Sequence, residues 1–221
     1  MSQLLQQSLV NDPRYIEHFS GLTIYGVAGT NGSGKDLLMD ILEESGFLIY
    51  RTGDNLRQIS KAVFQTTKRG GNESPMGRIA NAERAFYPGG MAELGLLDWW
   101  VKAGHLPLEL RPRGLAIGSI RSVSEVERLK QLGGQLIVVD APAEVRYERL
   151  KHRGRYYEKS ISYEDFLKEE AAELAEGETD PTKFGMAAVI QMADMTLENA
   201  TAHAASFKKI VQEKLLVTSG Q

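Results

Sequence analysis

Residues 29–36 read GTNGSGKD, directly behind the apolar run Leu22–Gly29 and directly ahead of the helical pattern KDLLMDILEESG. No other stretch limits the fold as much. A Gly-x-x-x-x-Gly-Lys spacing between a strand and a helix is the arrangement of a phosphate-binding loop. Glycines at 29, 32 and 34 let the backbone turn so that its N–H groups point inward at anionic oxygens. The helix N-terminus adds a partial positive charge, and Lys35 is long enough to reach the β- and γ-phosphates of a nucleotide. The same letters would also suit a Gly-rich turn with an exposed lysine; the strand-loop-helix context favours nucleotide. The expected nucleotide-binding set is Gly29, Thr30, Asn31, Gly32, Ser33, Gly34, Lys35 and Asp36. Position 36 normally carries a hydroxyl that meets Mg²⁺. Here it is Asp36, a hard oxygen ligand that suits Mg²⁺ directly or through water, and equally an acid favoured by the dipole in a first helical turn. ATP and Mg²⁺ are therefore the expected cofactors.

The remaining pattern extends this start into an α/β fold. Apolar runs recur at Phe47–Tyr50, Gly114–Ile120, Gln135–Pro142 and, more weakly, Ala193–Asn199, separated by helical segments. Such alternation predicts a buried parallel sheet with crossover helices. KDLLMDILEESG sets Leu38, Ile41 and Leu42 on one face and stops at Gly46. SVSEVERLKQLGG starts at Ser122 or Ser124 and stops at Gly133. PAEVRYERLKHRGR, SYEDFLKEEAAELAEG and ATAHAASFKKIVQEKLL read as three further helices. Residues 55–110 are too long for a simple crossover and predict a helical insertion between the second and third strands. Residues 151–185 form a second excursion, before the fifth. The 221 residues suit a single domain with these two appendages.

Composition narrows the partners. A formal net charge of −3 exerts no general pull toward nucleic acid or anionic membrane. Cysteine is absent, which excludes disulfides and thiolate metal sites and fits a reducing, cytoplasmic setting. The first twenty residues lack a signal-peptide pattern, and no run approaches the ~18 apolar residues of a membrane helix. The expected partner is a small-molecule phosphate acceptor.

Ligands of open α/β sheets gather beyond the carboxyl ends of the strands. Asp54 and Arg57 follow the second strand, and Arg121 follows the third. An arginine there could hold a phosphate bidentately; an Asp could orient an attacking oxygen or contact a magnesium water, or simply cap a helix. Arg84 precedes a Pro-Gly-Gly bend in the insertion. Trp99 and Trp100 suit its core better than a base-stacking site. Arg146, Arg149, Arg153 and Arg155 cluster at the base of the second excursion, the first three on one helical face. They can serve the helix dipole, or stabilise the charge of a phosphoryl group in transfer.

GTNGSGKD, GDNLR, GSIRSVSEVERLK, VVDAPAEVRYERLKHRGR and ADMTLEN together resemble the P-loop kinases of small metabolites, in particular the nucleoside monophosphate kinases and dephospho-coenzyme A kinase. The resemblance implies a five-stranded parallel sheet of order 2-3-1-4-5, a helical acceptor insertion and an arginine-bearing lid. It implies catalytic roles for Lys35, Asp54, Arg149 and Arg153, and acceptor binding by Asp54, Arg57, Arg84, Arg121 and Arg155. The activity implied is ATP-dependent phosphoryl transfer to a nucleoside or deoxynucleoside monophosphate. Dephospho-coenzyme A is the alternative acceptor, and an ATP-binding regulatory module without transfer is the alternative of another class.

Overall fold

The structure, a computed structural model, describes residues 11–66, 74–87, 89–154, 158–200 and 203–216. In chain order the elements are α1 (Pro13–Glu17), β1 (Thr23–Ala28), α2 (Lys35–Glu44), β2 (Phe47–Arg51), α3 (Thr52–Phe64), α4 (Pro75–Phe86), α5 (Gly90–Lys102), β3 (Gly114–Gly118), α6 (Val123–Gln131), β4 (Gln135–Asp140), α7 (Ala143–Arg153), α8 (Tyr163–Leu174), α9 (Met186–Gln191), β5 (Met195–Glu198) and α10 (Ala204–Val211). The five strands form one parallel sheet in the order β2-β3-β1-β4-β5, the order implied by the resemblance to P-loop kinases.

Alternation along the strands supplies two cores. Ile24, Ala28, Leu115, Ile117, Leu136 and Val138 point to the face covered by α1, α5, α6 and α9. Tyr25, Val27, Ala116, Ile137 and Val139 point to the face covered by α2 and α10. Leu38, Ile41 and Leu42 lie on the buried side of α2, as their spacing predicts, and Met39 joins them. At the middle of β1, Gly26 has no side chain because α6 leaves no room: a Cβ there would run into Leu129 and come within 3.1 Å of Ile120.

The segment between β2 and β3 is helical, and α3 starts without a loop as β2 ends. Asp54 and Arg57 therefore lie in its first turns, at the strand's carboxyl end. Thr52 stitches that end to β3: its Oγ1 accepts the Ser119 N–H at 2.8 Å. Trp99 is 1% exposed in the core, and Trp100 packs edge-on against Tyr15. Helix α6 opens with the capping box of Ser122 and Glu125.

Two short helices have no counterpart in the sequence pattern. α1 has five residues, too few to be stable alone. It is held by buried Tyr15 and Phe19, and by the Tyr15 hydroxyl donating to Glu93 Oε1 at 2.8 Å. Burial, reinforced by the Glu93 carboxylate, pushes the Tyr15 phenol far above its ordinary range. Glu93 also receives Arg128 Nε at 2.7 Å, so this carboxylate, 0% exposed, is fully compensated. α9 is similarly held by Met186 and Val189 in the same core. No helix among the described residues is long and apolar enough to cross a membrane.

Candidate active site

All five strands point the same way, so their carboxyl ends meet in one region. The loop after β1 turns there through Gly29, Gly32 and Gly34, with φ of +147°, +80° and +101°. L-residues rarely adopt such values. Space is as limiting as backbone angle: a Cβ at Gly34 would overlap Asn199 Nδ2, and one at Gly32 would lie 2.6 Å from the Arg146 carbonyl oxygen. The loop is braced from outside. Asn199, just past β5 and 3% exposed, donates Nδ2 to the Ser33 carbonyl at 2.9 Å. Arg149 of α7 donates to the Gly32 and Ser33 carbonyls, each at 3.2 Å, and to the Asn199 carbonyl at 2.8 Å. Burial pulls the Arg149 pKa down.

Lys35 Nζ folds back to the Thr30 carbonyl at 3.2 Å. The Ser33 hydroxyl is buried without a hydrogen-bond partner. A cavity of about 150 Å³ lies here, bounded by Gly32, Gly34, Lys35, Asp36, Arg149 and Arg153. It is open to solvent and large enough to admit phosphate oxygens. The loop also binds an anion of its own: the Asn31 N–H donates to Glu173 Oε2 at 3.2 Å. An orphaned hydroxyl, a lysine and a backbone amide that already holds a carboxylate fit a phosphate chain. Asp36 is exposed in the first turn of α2 beside that cavity. Among the described residues no three His, Asp or Glu groups cluster to hold a metal.

The other expected residues divide. Arg121 reaches the site, donating NH1 to Glu173 Oε1 at 2.7 Å while lying over the Phe184 ring. Asp54 and Arg57 are ion-paired with each other on α3, both partly exposed. Arg153 is paired with buried Glu158. Arg146 is buried, donating Nε to the Ala141 carbonyl at 2.7 Å and pairing with Glu170. Arg84 corrects the sequence expectation: its side chain is 3% exposed and its Nε donates to Glu125 Oε1 at 3.0 Å. Glu125 also receives the Met91 and Arg121 N–H groups. Arg84 is thus a buried brace between α4 and α6, placed by the fold in an ion pair with Glu125. Arg155 lies outside the described residues.

Two site residues escaped the sequence reading. Asn199 was legible only as the residue ending the last apolar run. Glu173 was one of many acids in an amphipathic helix. Burial works against the Glu173 charge, yet the Arg121 and Lys35 cations, with hydrogen bonds from Arg121 and Asn31, prevail and hold the carboxyl below its ordinary range.

Residues 26–173 match the model of a family described as AAA domain. A UPF0200 protein of Pyrobaculum aerophilum is 31% identical over 194 residues, covering 87% of this chain and 94% of that one. A UPF0200 protein of Sulfurisphaera tokodaii is 28% identical, covering 80% and 88%. Among solved structures, a Thermus thermophilus protein aligns with a TM-score of 0.54 at 18% identity, over 90% of this chain and 99% of its own. Shikimate kinase from Acinetobacter baumannii, in complex with shikimate, aligns with a TM-score of 0.51 at 17% identity, over 93% and 99%. The sheet order, the flanking helices and the loop are those of the P-loop kinase fold.

Proposed function

This chain belongs to the AAA domain family and to the UPF0200 proteins, and from that premise we propose that it is an ATP-dependent, Mg²⁺-dependent phosphotransferase acting on a nucleoside or deoxynucleoside monophosphate. The observation that carries the reading is the shared cavity: loop residues Gly32, Gly34 and Lys35 border the same space as Arg149 and Arg153 of α7. Phosphoryl transfer needs such convergence, because its catalysis is positioning and charge stabilisation rather than covalent chemistry.

When bound, Mg·ATP supplies the phosphoryl group. The chain's residues do the rest. Backbone N–H groups of the loop hold phosphate oxygens, and Lys35 leaves the Thr30 carbonyl to neutralise charge between the β- and γ-phosphates. Asp36 holds the metal or one of its waters. Arg149 keeps the loop in shape from behind, and Arg153 approaches from the lid side as charge spreads over the transferring group. Arg121 and Arg57, past the ends of β3 and β2, hold the acceptor phosphate. Asp54 orients the attacking oxygen. A monophosphate acceptor is already anionic and needs no strong base. That matches Asp54, whose carboxylate is engaged by Arg57; a hydroxyl acceptor such as dephospho-coenzyme A would need it disengaged.

The test is a product screen. The protein, Mg²⁺ and γ-labelled ATP are incubated with each ribo- and deoxyribonucleoside monophosphate and with dephospho-coenzyme A. A labelled nucleoside diphosphate is the expected product. Labelled coenzyme A would select the alternative acceptor. ATP binding with no labelled product from any of them would leave a nucleotide-binding module without transfer and reject the proposal.

A further inference from the structure

Glu173 combines burial with an unfavourable place on its helix. Its side chain is only 10% exposed, and it sits in the last turn of α8, immediately before Leu174 and the left-handed Ala175. A negative charge at a helix C-terminus opposes the helix dipole, so the helix itself disfavours a carboxylate there. What holds it lies outside the helix: Arg121 at 2.7 Å, the Asn31 N–H at 3.2 Å and the field of Lys35. The rest of α8 is fixed separately, by buried Phe166 under Arg146 near its start and by the Arg146–Glu170 pair one turn before Glu173. Glu173 thus joins a loop on the donor side to an arginine on the acceptor side from the end of a helix anchored elsewhere.

We infer that Glu173 is a built-in anion that holds the phosphate loop and Arg121 and is displaced when a phosphate chain enters. This rests on the loop being the nucleotide site, as read above, but not on transfer taking place. A phosphate chain brings several negative charges to the amide and lysine that Glu173 uses. Two anions a few ångströms apart in a poorly solvated site repel strongly, so one must leave. The carboxylate is the weaker competitor, with one charge against several. Its departure frees Arg121 for the acceptor phosphate only after the donor is in place, which couples the two halves of the site.

The test is binding, with inorganic tripolyphosphate as the probe. Glu173→Gln keeps the side chain's shape and removes its charge. Titration calorimetry should show the variant binding tripolyphosphate at least threefold more tightly than wild type. A smaller gain, no change or weaker binding would overturn the inference, weaker binding being the result if Glu173 instead stays and bridges the phosphates through a cation. If the variant fails to fold, the wild type decides by hydrogen exchange: amides of residues 170–176 should exchange faster on adding tripolyphosphate, and unchanged or slower exchange would overturn the inference. Labelled product in the transfer screen with no difference in binding between the two proteins would remove this inference alone. Tighter binding by the variant without any product would remove only the transferase reading.

Discussion

Asn199 Nδ2 lies 2.9 Å from the carbonyl oxygen of Ser33, 166 residues earlier in the chain. The residue just past the last strand therefore closes the back of the loop that follows the first. The loop's inward N–H groups keep their direction because its outward carbonyls are taken, by Asn199 and by Arg149.

Asn199→Ala should remove this brace. The Ser33 carbonyl keeps Arg149 as a donor, so the loss is that of a single hydrogen bond, about 0.5–1.5 kcal/mol, and the unfolding midpoint should drop slightly. Nucleotide affinity should fall with it, because the loop relaxes. Calorimetry and an ATP titration check both; normal nucleotide affinity in a destabilised variant would show that the brace does not set loop geometry.

Lys35→Ala should abolish transfer and leave the fold. Its ammonium rests on a loop carbonyl and packs no core. Turnover should fall about 100-fold or more, the range for removing one group that stabilises transition-state charge, with little change in thermal midpoint. Retained turnover would reject the loop assignment.

Arg149 and Arg153 should part company. Arg149 holds loop carbonyls and Asn199, so Arg149→Ala should lower stability and ATP affinity together. Among the described residues Arg153 is ion-paired with Glu158 and does not brace the loop, so Arg153→Ala should lower kcat while leaving ATP affinity within about threefold. Equal effects on affinity would show that both serve binding.

Arg84→Ala should act on stability alone. Removing one partner of a buried ion pair costs about 3–5 kcal/mol, because Glu125 would remain charged at 0% exposure. Acceptor KM in the folded fraction should be unchanged. A selective rise in acceptor KM without loss of stability would restore Arg84 to the acceptor site.

Asp36→Asn should raise the Mg²⁺ concentration needed for half-maximal activity, while ATP binding without Mg²⁺ holds steady or improves. Asp36→Ser should recover activity by restoring a hydroxyl ligand. Superimposable Mg²⁺ titrations of Asp36→Asn and wild type would leave Asp36 as an acid placed by the helix dipole alone.

What could be read from the sequence was local. The apolar runs, the glycines of GTNGSGKD and the serine start of α6, at Ser122 or Ser124, each announce themselves within a few residues, and they carry the sheet, the loop and α6. What stayed hidden depends on partners distant in the chain. Arg84 looks like a surface cation until Glu125, 41 residues on, is beside it. Glu173 is indistinguishable from Glu169 or Glu176 until Arg121 and Asn31 are brought to it by the fold. α1 has too few residues to show a period; only Glu93 and the aromatic contacts of Tyr15 make it a helix worth forming. The strand order came from the resemblance to P-loop kinases, since periodicity says which residues are strands but not which strands are neighbours.

The central position of β1 has a consequence for how the chain is made. Its neighbours in the sheet are β3 and β4, so Thr23–Ala28 leaves the ribosome long before Gly114–Gly118 and Gln135–Asp140 exist to pair with it. Until residue 140 emerges, at least one edge of this apolar segment stays open to other nascent chains. Closing so long a separation is slow as well. The vulnerable interval in producing this protein therefore runs from the emergence of β1 to that of β4. Trigger-factor-like protection or slowed growth during expression acts on that interval, whereas changes downstream of β4 leave it untouched.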